Sequence, residues 1–157
     1  MQDLATVESV SARLEAVLTR LSARLRSMPE SKLLGRLPDG RSRAAAGHEL
    51  AGLVALAAQG VEDRTWHVPP VWRALPFEGP FVVGDQIGVT GHDLLVACDA
   101  VGVSGVAGVE SAAEVWAPMV GAASGTYVGD GARSERVAVG ELLRRVLVEA
   151  EGLAGVL

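Results

Sequence analysis

Apolar side chains recur at helical spacing through the N-terminal part of the chain. Written as heptads, the row runs from Leu4 to Met28, and Ser11 is the only polar residue among its eight positions. Acidic residues lie near the start of this segment and arginines near its end, as a helix dipole favours. The pattern predicts an amphipathic helix over residues 2–28, about 40 Å long, that needs an equally long partner surface.

A second helix is predicted from Ser42 to Gln59, because apolar residues fill most of this stretch and Gly60 follows it. A Pro-Asp-Gly sequence at 38–40 precedes the helix, and these residue types together favour a tight turn. We therefore expect residues 2–60 to form an antiparallel helical hairpin.

Residues 64–92 break the helical pattern, because they hold four of the seven prolines of the chain. Short apolar runs at 81–83 and 86–89 flank a Gly-Asp pair, which suits a two-residue turn between strands. We predict a short β-hairpin here. It should pack against helices, since two strands alone are only marginally stable in water.

Three more helical segments are predicted towards the C-terminus. A buried helix begins near Thr90, whose hydroxyl suits an N-cap. A further piece over 111–123 contains Pro118 and is therefore expected to be kinked. A loop follows at 127–131, and the last helix runs from about Ser134.

These elements together predict a mainly α fold. It is a small helical bundle with a long N-terminal helical hairpin and a short β-hairpin in a proline- and aromatic-rich insert. The sequence has no internal repeat and no long linker, so we expect one helical domain over residues 1–157. Its parts are the helical hairpin 2–60, the insert 64–92 and the helices of 90–157.

Composition narrows the class of protein. Apolar residues make up 49% of the chain, which excludes disorder over most of its length. Many of them are small, so stability must depend on the close approach of helix backbones. The single cysteine, Cys98, excludes an intrachain disulfide. No apolar stretch resembles a signal peptide or a membrane span, so we expect a cytoplasmic protein without membrane contact.

The net charge of −5 argues against nucleic acid as a partner, because phosphate contacts need clustered cations. The charge is also uneven. Residues 1–64 carry nine basic and eight acidic side chains, whereas residues 65–157 carry five basic and eleven acidic ones. Seven of the basic residues lie within 20–43. A solvated helix face explains them most simply, and a surface for an anionic partner is the alternative.

Known catalytic motifs are incomplete in this chain. His48-Glu49 begins like a zinc-binding H-E-x-x-H motif, but Gly52 stands where the second histidine is needed. The glycine-rich stretch 84–91 has neither the spacing nor the lysine of a phosphate-binding loop. The sequence therefore assigns no catalytic, cofactor-binding or metal-binding residue, and an enzyme is the less favoured class.

Four of the six aromatic residues fall within the 64–92 insert. Rings concentrated in this way either fill the core of the domain or anchor a partner protein, since large rigid side chains on a loop bind at low entropic cost. Both interpretations stay open for these candidate partner-binding residues, which are Trp66, Trp72, Phe77 and Phe81.

An alternative polar site would consist of His67, His92 and Asp93. If these side chains converge, two imidazoles and a carboxylate could hold a metal ion or exchange protons. Their spacing matches no established metal-ligand rule.

The sequence favours a non-enzymatic protein–protein interaction or regulatory module, which either forms a homodimer or belongs to a larger complex. The long apolar row and the loop aromatics support this hypothesis. The alternative is a small-molecule- or metal-binding protein, or an enzyme, with a site formed by residues 64–93.

Overall fold

The structure, a computed structural model, describes residues 2–101, 113–118 and 134–157. The predicted mainly α fold with a short β-hairpin is confirmed. The loop predicted at 127–131 lies outside the described residues. In chain order, the elements are α1 (Gln2–Arg26), α2 (Glu30–Leu33), α3 (Arg43–Glu62), a 3₁₀ helix (Pro80–Val82), α4 (Val83–Ala100), β1 (Glu114–Pro118), β2 (Ser134–Ala138) and α5 (Val139–Val156).

The core lies where the four long helices meet. Both α1 and α3 pack extensively against α4, and both also contact α5. Direct contact between α1 and α3 is slight, so the helices of residues 2–60 are not the directly packed pair that we expected. The apolar row of α1 is buried in this core from Leu14 to Leu25. Its positions before residue 10 lie outside the side chains that the structure describes.

Glycines allow α1 and α4 to approach closely. A Cβ atom added at Gly84 would lie 2.9 Å from the carbonyl oxygen of Ser22, and one added at Gly91 would lie 3.0 Å from Cδ1 of Leu18. The Ser22 hydroxyl also donates a hydrogen bond of 2.8 Å to the Gly84 carbonyl. The order of these contacts makes α4 antiparallel to α1. Small side chains thus permit the backbone contact that the composition predicts.

The β-hairpin predicted at 81–83 and 86–89 is wrong, because this segment forms the 3₁₀ helix and the first turns of α4. Asp85 lies in the first turn of α4, where the helix dipole favours an acid, and it pairs with Arg26 at 2.9 Å. Thr90 is therefore inside α4 and does not cap it. Its hydroxyl donates to the Gln86 carbonyl at 2.8 Å.

The hairpin of this protein is formed instead by β1 and β2. The two strands are antiparallel, with Glu114 opposite Ala138 and Pro118 opposite Ser134. Residues 114–118 are therefore a strand and not part of a kinked helix, while the rest of the predicted 111–123 segment, apart from Ala113, lies outside the described residues. The last helix begins at Val139, five residues later than Ser134.

The strand β1 packs directly on α3. A Cβ atom added at Gly60 would overlap the carbonyl oxygen of Trp116. The sequence placed Gly60 at the end of the second helix, but α3 continues to Glu62, and the glycine provides room for the strand. Among the described residues, no helix combines the length and the apolar character that crossing a membrane requires.

The turn predicted at 38–40 is confirmed. Gly40 has a φ of +89°, a conformation that favours glycine, and the Asp39 carboxylate accepts a hydrogen bond of 3.0 Å from the Arg41 amide. Ser42 then caps α3, since its hydroxyl accepts a hydrogen bond from the Ala45 amide at 3.0 Å.

Candidate functional site

An irregular segment, residues 66–79, runs along the outside of α3, and we call it the strap. Val71 lies beside Gln59 near the end of α3, whereas Phe77 lies beside His48 near its beginning. The strap therefore runs antiparallel to α3 over about three helical turns. Prolines within it prevent continuous helix formation and leave an extended chain.

One glutamine side chain fixes the first half of the strap. The Gln59 amide donates a hydrogen bond of 2.8 Å to the Val71 carbonyl, and its oxygen accepts one of 3.1 Å from the Arg73 amide. Both polar ends of this buried side chain are thus satisfied by strap backbone, much as a neighbouring strand would satisfy them. Gln59 is a residue that sequence reasoning missed, because glutamine in a helix gives no signal of such a role.

Trp72 anchors the middle of the strap in the interior. Only 5% of its surface is exposed, and it forms a cluster with Leu56 and Trp116. Its indole N–H donates to the Ser134 hydroxyl at 2.9 Å, and the indole of Trp116 donates to the Trp66 carbonyl at 3.3 Å. Trp72 therefore fills the core, which is one of the two interpretations left open for the aromatics of the insert.

The far end of the strap is held by a polar and aromatic contact. The rings of His48 and Phe77 meet edge to face, with centroids 5.2 Å apart. His48 Nδ1 lies 3.0 Å from Gln86 Oε1, and the Gln86 amide donates to the Pro76 carbonyl at 2.8 Å. His48 and Gln86 therefore link the end of the strap to both α3 and α4.

A groove of about 480 Å³ lies between α3 and the second half of the strap, and we call it the strap groove. Ala45 and Gly52 form part of its helix wall, and Leu75 and Phe77 form part of its strap wall, with Leu34 at one side. An added Cβ at Gly52 would meet nothing within 4 Å, so the groove is open at this position. Sequence reasoning noted Gly52 only as a break in the zinc-binding motif and did not single out Leu34, so it missed the part that both residues play in this groove.

The charges beside the strap groove are paired. Glu49, which lines it, accepts a hydrogen bond from the Arg41 guanidinium. The same guanidinium pairs with Asp39 at 2.7 Å, and this hydrogen bond lowers the pKa of the Asp39 carboxyl below its usual value. The surface offered by the groove is therefore mainly apolar.

Large apolar side chains stand out from the strap and from its immediate surroundings. Val71 is the most exposed of them, at 80%. Trp66, Phe77 and Phe81 are 53%, 54% and 59% exposed. These three rings, unlike Trp72, are accessible to a partner. A chain does not gain stability by presenting such large apolar side chains to water.

The residues of the alternative polar site are all exposed. His92 lines a shallow groove between α4 and α1 together with Glu15, whereas His67 lies on the strap. Within the described part of the chain, no hydrogen bond or ion pair joins His67, His92 or Asp93 to one another. In the same residues, no group of three or more His, Cys, Asp or Glu side chains is arranged to hold a metal ion.

Cys98 is buried on α4, and burial raises the pKa of its thiol to about 12. A thiol that stays protonated is a poor nucleophile, so Cys98 is an unreactive residue of the core.

No protein-family model, curated protein or solved structure matches this chain significantly.

Proposed function

We propose that this chain is a protein–protein interaction module that associates with a second copy of itself through the strap. The observation that carries the proposal is the concentration of exposed apolar side chains on and around one extended segment that also borders an open apolar groove. Large apolar side chains are the usual anchors of protein interfaces, and apolar grooves are their usual receptors.

The strap supplies both halves of an interface, which favours a second copy as the partner. Trp66 and Val71 project from the first half of the strap, and the groove lies beside its second half, near Phe77. A two-fold axis would place the projecting end of each copy on the groove of the other, so the same contacts form twice. The part of the apolar row of α1 from Leu14 to Leu25 is not available for this purpose, because it is buried within the chain.

The charges of the strap favour the same arrangement. Arg73 and Glu78 are exposed, and neither forms an ion pair within the described residues. If two straps lie antiparallel, Arg73 of one copy approaches Glu78 of the other. A parallel arrangement would bring like charges together, which costs interaction energy.

Filling the groove tests the proposal. Gly52→Leu places a large side chain in the strap groove and improves helix propensity, so the fold should be retained. Gly155→Leu on α5 is the matched control, since it is also a helical glycine with nothing within 4 Å of an added Cβ. By light scattering across a wide concentration range, we expect the wild type and the control to show about twice 16.2 kDa. We expect Gly52→Leu to weaken dimerisation at least about tenfold.

A second pair of variants tests the projecting side of the interface. Val71→Ser should weaken dimerisation, whereas Val148→Ser on α5, at a valine of similar exposure, should leave it unchanged. A wild-type chain that stays monomeric at every concentration contradicts the proposal. So does a dimer that persists equally in Gly52→Leu and Gly155→Leu.

A small-molecule-binding function is the second candidate, and the size of the strap groove favours it. A volume of about 480 Å³ with apolar walls and one imidazole is within the range typical of small-ligand sites. Native mass spectrometry of untagged protein should then show an extra mass that Gly52→Leu loses and Gly155→Leu retains. If neither the wild type nor Gly155→Leu carries an extra mass, the result contradicts this candidate.

A further inference from the structure

Basic side chains from three helices converge on a pocket away from the strap. The pocket has a volume of about 340 Å³ and is lined by Arg24 of α1, Lys32 of α2 and Arg43 of α3. Ser27, whose hydroxyl donates to the Arg24 carbonyl at 2.9 Å, also lines the pocket. Its apolar wall is formed by Met28, Pro29 and Leu157. The fold thus collects, from three helices, charges that the sequence presents only as a diffuse basic segment.

The side chains that line this pocket carry three positive charges and no negative charge. None of the described residues that line it has a carboxylate side chain. Elsewhere in the described chain, arginines of the same region do have acidic partners: Arg26 pairs with Asp85, and Arg41 pairs with Asp39. Arg24, Lys32 and Arg43 form no ion pair within the described residues.

The position of Arg43 adds an independent argument. It is the first residue of α3, and the first turn of this helix contains no acid. A cation at a helix N-terminus is unfavourable, because the positive end of the helix dipole repels it. Its guanidinium bonds the Lys32 carbonyl at 3.3 Å, which satisfies one donor and leaves the charge uncompensated. An anion in the pocket would compensate both the helix end and the guanidinium.

We propose that this pocket binds the phosphate group of a small molecule. Three cations match a phosphate group better than a carboxylate, because phosphate carries nearly two negative charges near neutral pH and offers three acceptor oxygens. Arginine guanidinium groups present paired donors that fit those oxygens, and lysine adds a point charge. The pocket is larger than one phosphate group, and Met28 gives the remainder an apolar wall.

The site is local and does not form part of an extended surface for binding a polyanion. Residues 65–157 carry eleven acidic and five basic side chains, so most of the chain repels a long phosphate backbone. The proposal is independent of the strap, because no residue lines both this pocket and the strap groove.

The test is a titration with inorganic phosphate at constant ionic strength, followed by the amide NMR signals of Ser27 and Lys32. Arg24→Gln and Lys32→Gln each remove one cation from the pocket, and we expect each to weaken phosphate binding about fivefold to tenfold. Arg20→Gln is the matched control. Arg20 is exposed on α1 and forms no ion pair within the described residues, but it does not line the pocket.

Acetate and salt complete the test. We expect acetate, at the same ionic strength, to bind at least about tenfold more weakly than phosphate, and added sodium chloride to weaken phosphate binding. Three results would overturn the proposal: no shift of the pocket amides with phosphate, an equal response to acetate, or an equal loss of affinity in Arg20→Gln. The wild-type amide spectrum, retained in each variant, confirms that the fold is intact.

Discussion

The thiol of Cys98 shows how burial controls the chemistry of a single residue. Because burial raises its pKa to about 12 from the ordinary 9.0, the protonated form is favoured in the folded chain. We expect no reaction with a thiol reagent at pH 8 in the native state and full reaction after unfolding in guanidinium. Rapid modification of the native protein would contradict this burial.

The raised pKa of Cys98 also makes the stability of the fold depend on alkaline pH. Unfolding releases the thiol to its ordinary pKa, so its contribution to stability is complete below pH 9. The contribution then declines as the pH rises from about 9 to about 12. In urea unfolding, the free energy of unfolding of the wild type should therefore fall more steeply above pH 9 than that of Cys98→Ala.

The Gln59 side chain holds the first half of the strap, and its loss should loosen that half. Gln59→Leu removes the bonds to Val71 and Arg73, and we expect the free energy of unfolding to fall by about 1–3 kcal/mol. Hydrogen exchange at the Arg73 amide should accelerate. The Ala45 amide, which Ser42 holds, serves as the internal control. Unchanged exchange at Arg73 would contradict the role of Gln59.

Several elements could be predicted from local sequence, and others could not. The turn at 38–40 and the helix that follows it were predicted, because proline, aspartate and glycine act there through their own backbones. The hairpin at 81–89 was predicted wrongly. Its Gly-Asp pair lies in a helix because Gly84 packs against α1, and a glycine that serves a distant helix is indistinguishable in sequence from one that serves a turn.

The apolar row of α1 provides a prediction for the whole molecule. Leu18 is buried against the other helices, so Leu18→Ala should lower the free energy of unfolding by about 2–5 kcal/mol. Thr19→Ala, on the exposed side of the same helix, should change it by less than about 0.5 kcal/mol. Polar replacement of Leu14, Leu18 and Leu21 together should unfold the chain. A folded triple variant of unchanged mass would contradict the placement of this row in the core.

The candidate site could be predicted only in part. The concentration of aromatics in residues 64–92 drew attention to the segment that carries the proposed interface, and Trp66, Phe77 and Phe81 are exposed there. Sequence alone could not separate Trp72 from them, because its burial depends on Trp116, forty-four positions away. Burial of a ring is decided by which distant element covers it.

Local sequence is enough to specify the properties that arise within one segment: the helical class, the apolar face of α1, and the turn before α3. Which helices meet, where the β-hairpin lies, and how the strap forms a groove on α3 depend on the tertiary fold. The physical reason is distance along the chain. Periodicity and turn chemistry act over a few residues, whereas the convergence of Arg24, Lys32 and Arg43, or of Gln59 with the strap, requires the chain to fold back on itself.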